Sequence, residues 1–117
     1  MNIYGLKNCD KCRSALKAFK NAGHMVTFID VRVDGIPLDI LSKFYKEFGN
    51  ELINNRSTTW RELPEDDRKL NPLDLLLKYP TVMKRPVIDN NGNLQLGWNK
   101  LTEKMLLSWH WQVLEMK

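Results

Sequence analysis

The stretch Asn2-Ile-Tyr-Gly-Leu-Lys-Asn-Cys-Asp-Lys-Cys-Arg-Ser-Ala-Leu-Lys-Ala-Phe-Lys-Asn-Ala-Gly23 decides the fold, because it reads as a short apolar strand passing through a tight loop into an amphipathic helix. From Cys12 onward Cys12, Ala15, Leu16, Phe19 and Ala22 recur at spacings of three and four, while Lys11, Arg13, Ser14, Lys17 and Lys20 fall on other faces. One stripe is therefore buried, and Gly23 supplies the stop. Cys9 and Cys12 are the two cysteines of the chain. Cys9 lies one turn ahead of Cys12, so it is expected in the first turn, where free backbone N–H groups and the positive end of the helix dipole stabilise a thiolate. That makes Cys9 the candidate nucleophile. Cys12, a turn deeper, lies within disulfide reach and would resolve a mixed disulfide formed on Cys9.

A strand followed by Cys-x-x-Cys at a helix start is the sequence form of a thioredoxin-like redox site. Two other readings compete with it. Half of a zinc site would need partners from His24 and His110, which are isolated and far apart, whereas structural zinc ligands usually pair at short spacing. Two inert cysteines packing as small hydrophobes need no partner at all.

With 117 residues the chain is expected to form one domain, residues 1–117. No apolar run approaches membrane-spanning length, and the chain opens on a strand instead of a charged-then-apolar leader, so a cytoplasmic location is expected. Two cysteines so close together cannot staple distant parts of a secreted fold. In a reducing compartment such a pair is more often catalytic or redox-sensing. The net charge of +4 is modest. Lys7, Lys11 and Arg13 surround the cysteines and either favour a thiolate and attract anions or form a plain solvated basic face. Nothing resembles the dense basic stripe with interleaved aromatics of a nucleic-acid binder.

Beyond Gly23, Met25-Val-Thr-Phe-Ile-Asp-Val31 reads as a second strand, parallel to the first through a right-handed crossover. Asp34-Gly35 turns the chain. Pro37 suits a first helical position, and Ile40, Leu41, Phe44, Tyr45 and Phe48 trace an apolar face up to Gly49. Asn54-Asn-Arg-Ser-Thr-Thr59 is polar and turn-prone, a loop or short helical turn, and Arg56 in it is either an ordinary surface residue or an anion clamp. Pro64-Glu-Asp-Asp-Arg-Lys69 is a solvated charged run. Asn71-Pro72 opens a short helix through Leu73, Leu76 and Leu77 to Pro80. Thr81–Asp89 approaches a third strand, and Asp89-Asn-Asn-Gly-Asn93 is a hairpin turn into Leu94-Gln-Leu96, which makes those two strands antiparallel. Asn99 caps a last helix carrying Leu101, Met105, Trp109 and Val113, and Trp109 and Trp111 suit packing on the chain's own core. The order βαβ, a helical insertion at about 36–80, then ββα describes an α/β thioredoxin-like fold, a four-stranded mixed sheet with flanking helices. In it Arg85-Pro86 precedes the strand beside the first.

With those residues placed, the chain resembles the ArsC/Spx family over nearly its whole length. Three stretches carry the resemblance: Tyr4-Gly-Leu-Lys-Asn-Cys-Asp10, Asn54-Asn-Arg-Ser-Thr-Thr-Trp-Arg-Glu-Leu63, and Lys84-Arg-Pro-Val-Ile88 with Leu94-Gln-Leu-Gly-Trp98. The first two are shared with the YffB-type, arsenate-reductase-related branch. The resemblance implies a cytoplasmic thiol-dependent reductase in which Cys9 is the nucleophile, Cys12 or glutathione resolves, and Asn8, Arg56 and Arg85 lie on the substrate side. It further implies that Pro86 is cis and turns Arg85 toward Cys9, with no bound cofactor and no metal. A small thiol or oxyanion would be the substrate, and glutathione, another thiol, glutaredoxin or thioredoxin the co-substrate. Two departures matter. Glutathione/glutaredoxin-linked arsenate reductases carry a third arginine after the Arg-Pro motif, where this chain has Gly97. Cys12 is shared instead with the Spx branch of transcriptional regulators, whose Cys-x-x-Cys is a redox switch and whose partner is the RNA polymerase α subunit; the resemblance thus also implies a regulator.

Overall fold

The computed structural model describes residues 1–104, and the expectations for Met105, Trp109, Trp111 and Val113 lie outside them. The chain forms two compact units, one built from residues 1–29 together with the segment that starts at Arg85, the other from Asp30–Lys84.

The first unit holds the sheet. Its elements are β1 (Asn2–Gly5), α1 (Asp10–Asn21), β2 (Thr27–Asp30), β3 (Val87–Asn90) and β4 (Asn93–Leu96), with strand order β2-β1-β3-β4. β1 and β3 are antiparallel, with Ile3 opposite Ile88 and Tyr4 opposite Val87, and β3 and β4 are antiparallel from Val87 opposite Leu96 to Asn90 opposite Asn93. The two-residue hairpin loop is closed by Asn91 at φ 54° and Gly92 at φ 91°, the pairing of positive φ values that lets a tight turn follow the right-handed twist of its strands. This is a four-stranded mixed α/β sheet with flanking helices, as the order of elements predicts.

The stripe read from the sequence is the face that α1 buries. Cys12, Ala15 and Phe19 are lost from solvent, Leu16 is half-buried, and Ala22, past the last turn, is exposed. Ile3, Ala15, Phe19, Ile88 and Trp98 form the core of this unit, with the Phe19 and Trp98 ring centroids 5.4 Å apart. The helix ends in a Schellman arrangement: the His24 N–H donates to the Phe19 carbonyl at 3.0 Å and the Gly23 N–H to Lys20 at 3.0 Å, with Gly23 at φ 89°.

The second unit is helical, with α2 (Val31–Asp34), α3 (Leu38–Phe48), α4 (Thr58–Glu62), α5 (Glu65–Arg68) and α6 (Pro72–Lys78), plus 3₁₀ turns at Gly49–Leu52 and Pro80–Val82. The starts of α4 and α6 are set by short polar side chains: Ser57 accepts from the Trp60 N–H at 3.1 Å, and Asn71 from the Asp74 N–H at 3.0 Å. Leu63, Leu75 and Val82 make one core cluster, with Ile53, Trp60, Leu70 and Tyr79 packed against it.

Several boundaries differ from the sequence reading. β2 stops at Asp30, because its carboxylate accepts the Arg32 N–H at 2.9 Å and caps α2; Val31 is therefore helical. Pro37 is the cap of α3, not its first residue. Leu77 is exposed while Leu75 is buried, since the neighbours Leu63 and Val82 lie on the Leu75 side, which periodicity among adjacent leucines does not reveal. The third strand begins only at Val87, because Pro86 lacks the N–H that a ladder requires. The charged run at 65–68 is a helical turn.

Gly5 closes β1 where the chain touches α1. A Cβ added there would run into the Cys12 Sγ and stand 3.2 Å from its Cβ and 3.5 Å from Phe28. Gly5→Ala is expected to lower stability by roughly 1–3 kcal/mol through overpacking, read as a lower urea midpoint at unchanged slope.

Candidate active site

The loop Leu6–Asn8 carries the chain from β1 to α1, and the Cys9 N–H closes it by donating to the Leu6 carbonyl at 3.1 Å. Cys9 is the N-cap of α1 with extended backbone (φ −93°, ψ 123°), and its carbonyl accepts the first helical hydrogen bond, from Arg13 N–H at 3.0 Å. It therefore sits one position ahead of the first turn expected for it. That places its sulfur at the unpaired N–H groups of the helix start, although it does not close a full capping hydrogen bond. Cys12, at the third helical position, is fully buried, while Cys9 is half-exposed; both are free thiols.

Partial burial by itself pushes the Cys9 thiol up. The Cys12 backbone N–H, the Cys12 thiol and the hydrogen bond and charge of Arg85 outweigh it, and the net displacement is below the ordinary value of 9.0. Cys12 moves the other way. Burial, with the hydrogen bond to Cys9 and the charge on it, pushes Cys12 up to about 12 against the opposing Leu6 backbone N–H and Arg85. The two sulfurs are thus displaced in opposite directions although they are one helical turn apart.

Arg85, half-buried, reaches this pair from the segment before β3, and the Arg85–Pro86 peptide bond is cis, with Pro86 buried. The Gly97 N–H donates to the Pro86 carbonyl at 2.8 Å, with Gly97 at φ 83°, a conformation in which an arginine would be strained. The structure brings Cys9, Cys12, Arg85 and Pro86 together; Asn8 is exposed immediately before Cys9. Arg56 lies in the second unit, exposed in the turn ahead of α4, where its N–H donates to Asn54 Oδ1 at 3.1 Å.

Of the nearby basic residues, Arg13 pairs with Asp10 on α1, and Lys7 and Lys11 are exposed; Arg85, far along the chain, supplies a cation that acts on Cys9. Among the described residues no third His, Cys, Asp or Glu joins the sulfurs in a cluster fit for a metal ion. No helix among them is long and apolar enough to cross a membrane. Gly5, whose missing Cβ makes room for the Cys12 sulfur, was not read as part of the site. A lone glycine inside a strand pattern was the available signal of a close approach.

A strand leading through a tight loop to a Cys-x-x-Cys helix cap, set beside a cis proline that precedes an antiparallel strand of a mixed sheet, defines the thioredoxin-like class. Within that class the chain belongs to the ArsC family, whose sequence model matches residues 4–104. It is similar to a protein of Haemophilus influenzae, 40% identical over 86% of this chain and 92% of that one. It is also similar to the global transcriptional regulator Spx of Streptococcus mutans, 34% identical over 80% of this chain and 72% of that one. Among solved structures, a YffB protein superposes with a TM-score of 0.80 at 27% identity, covering 91% of this chain and 97% of its own.

Proposed function

We propose that the protein is a thiol-dependent reductase of the ArsC family in which Cys9 attacks an oxidised sulfur. The ionised Cys9 thiolate displaces one sulfur of a disulfide, taking up the other as a mixed disulfide while the displaced thiolate leaves and is protonated. Either Cys12 attacks the Cys9 sulfur of that mixed disulfide, expelling the second substrate thiolate and leaving a Cys9–Cys12 disulfide that two glutathione thiols reduce with formation of oxidised glutathione, or one glutathione attacks the outer sulfur, releasing Cys9 as thiolate and carrying that sulfur away as a glutathione disulfide. Arg85 steadies the anionic sulfur and offers its fork to a carboxylate or oxyanion of the substrate; Asn8 and Arg56 are carried to the substrate side by resemblance alone. The observation that carries this reading is the depressed Cys9 thiol at the start of α1, with the Arg85 guanidinium beside it. A disulfide suits the site better than arsenate, because the position of a third arginine is the positive-φ Gly97. The test is glutathione-coupled turnover of a small disulfide and of arsenate by the unmodified protein: reduction of the disulfide is expected, and no turnover of either would end the proposal.

Similarity to Spx favours a second reading, in which the cysteine pair senses oxidation and alters binding to the RNA polymerase α subunit. Capture of that subunit in only one redox state would support it, and capture in neither would remove it.

A further inference from the structure

We infer that Asn91 is a spontaneous modification site held in check by Asp89: the folded hairpin preserves the Asn91 amide, and release of the Gly92 N–H lets it convert to aspartate and isoaspartate. Asn91-Gly92 is the one Asn-Gly pair of the chain, and both residues are exposed at the tip of the β3–β4 hairpin. Glycine leaves its own backbone nitrogen unscreened by a side chain, and a Cβ built on Gly92 meets nothing within 4 Å, so no distant residue covers it either. The conversion of such a pair needs only water and base. The Gly92 nitrogen, having lost its proton to hydroxide, attacks the Asn91 side-chain carbonyl carbon. A C–N bond forms to give a cyclic imide, the amide C–N bond breaks, and ammonia leaves with a proton from water. Water then opens the imide at one carbonyl or the other, giving aspartate or isoaspartate; nothing is oxidised or reduced.

The structure shows what opposes this step. Asp89 Oδ1 accepts the Gly92 N–H at 2.8 Å across the turn. That hydrogen is the one that must leave before the nitrogen can attack, and a carboxylate beside it disfavours a negative charge on the nitrogen. Asp89 is half-buried in β3, so its carboxylate is carried by a strand and not by the loop. The ladder pairs Asn90 with Asn93 and Asp89 with Leu94 directly below the turn, and Asn91 at φ 54° with Gly92 at φ 91° completes it. Isoaspartate would route the main chain through the side chain and add one carbon to this two-residue loop, whose register has no slack for it.

The inference stands apart from the reductase reading, and its test uses no turnover. Folded protein, the same chain unfolded in guanidinium chloride, and the folded variants Asp89→Ala and Asp89→Ser are held in warm, mildly alkaline buffer and sampled by peptide mass mapping. Conversion at Asn91 is expected on the order of tenfold slower in the folded protein than in the unfolded chain, the margin of one hydrogen bond to a charged acceptor. Asp89→Ala is expected to close most of that gap. Asp89→Ser keeps a weaker acceptor in the turn and should fall between the two. Equal rates in folded and unfolded chains overturn the check, and an Asp89→Ala that stays as slow as the unmodified protein takes it away from Asp89. An unfolded chain in which other asparagines convert before Asn91 overturns the site. Hydrogen exchange on the unmodified protein needs no variant to fold: the Gly92 amide is expected to exchange on the order of tenfold slower than in the unfolded chain. Exchange at the unfolded rate would mean that the Asp89 bond does not hold this N–H, and the inference would fall with it.

Discussion

Cys9→Ser is expected to bring glutathione-coupled disulfide reduction to background, a loss of at least about a thousandfold, without lowering the unfolding free energy by more than about 0.5 kcal/mol. Cys9 is half-exposed and a serine oxygen occupies nearly the same volume, so the cap and the loop hydrogen bond to Leu6 survive the change. The chemistry does not survive. Thiol–disulfide exchange needs an ionised nucleophile that can form and break an S–S bond, and a serine hydroxyl neither ionises near neutral pH nor forms one. Cys12 offers no rescue: it is fully buried, and that burial, the largest cause pushing its thiol up, is untouched by the change at Cys9. Mass analysis of the unmodified protein after exposure to oxidised glutathione should find the adduct on Cys9, and the variant should carry none. Turnover that persists in Cys9→Ser would place the attacking sulfur elsewhere and sink the proposed mechanism.

The reasons the opening stretch was legible are local. The three-and-four spacing of Cys12, Ala15 and Phe19 fixes which side of α1 is buried, Gly23 at φ 89° fixes its end, and the Asn-Gly pair at 91 and 92 fixes the hairpin. Less legible were features that depend on a competing local bond or on a distant neighbour. The carboxylate of Asp30 ends β2 by capping α2, against the strand propensity of Val31. Within α6, the choice of Leu75 over Leu77 for the core is made by Leu63 and Val82, which no property of the helix itself encodes. The site divides the same way. Cys9 at a helix start follows from the pattern of one segment, but sequence proximity leaves Lys7, Lys11 and Arg13 open as either its cations or a solvated basic face. The pairing of β3 with β1 instead brings Arg85 to it, while Arg13 is occupied by Asp10. Resemblance to a family supplied Arg85; residue spacing alone did not.

Arg85→Met is expected to raise the pH at which Cys9 ionises and to lower kcat/KM for disulfide reduction at neutral pH on the order of a hundredfold. Methionine keeps most of the length and apolar contact of the arginine stem while removing the guanidinium, so the change isolates the charge and its donors. The sign follows from the balance at Cys9. Burial opposes the thiolate, and what remains after the arginine is gone is the backbone N–H and thiol of Cys12, so the midpoint moves toward 9.0 from below. Alkylation of Cys9 plotted against pH should therefore keep its shape and its plateau but slide to higher pH. Stability shifts in step. A thiol whose folded midpoint lies below 9.0 adds stability that is fully present above 9.0 and is lost as pH falls through the folded midpoint; in Arg85→Met that window narrows. Arg85→Lys separates the two contributions of the side chain, since an ammonium retains the charge but not the planar fork. It is expected to recover most of the shift in midpoint and less of the loss in kcat/KM. An alkylation profile for Arg85→Met that overlays the unmodified protein would show that the guanidinium does not act on this sulfur, and an unchanged kcat/KM would remove Arg85 from the substrate side as well.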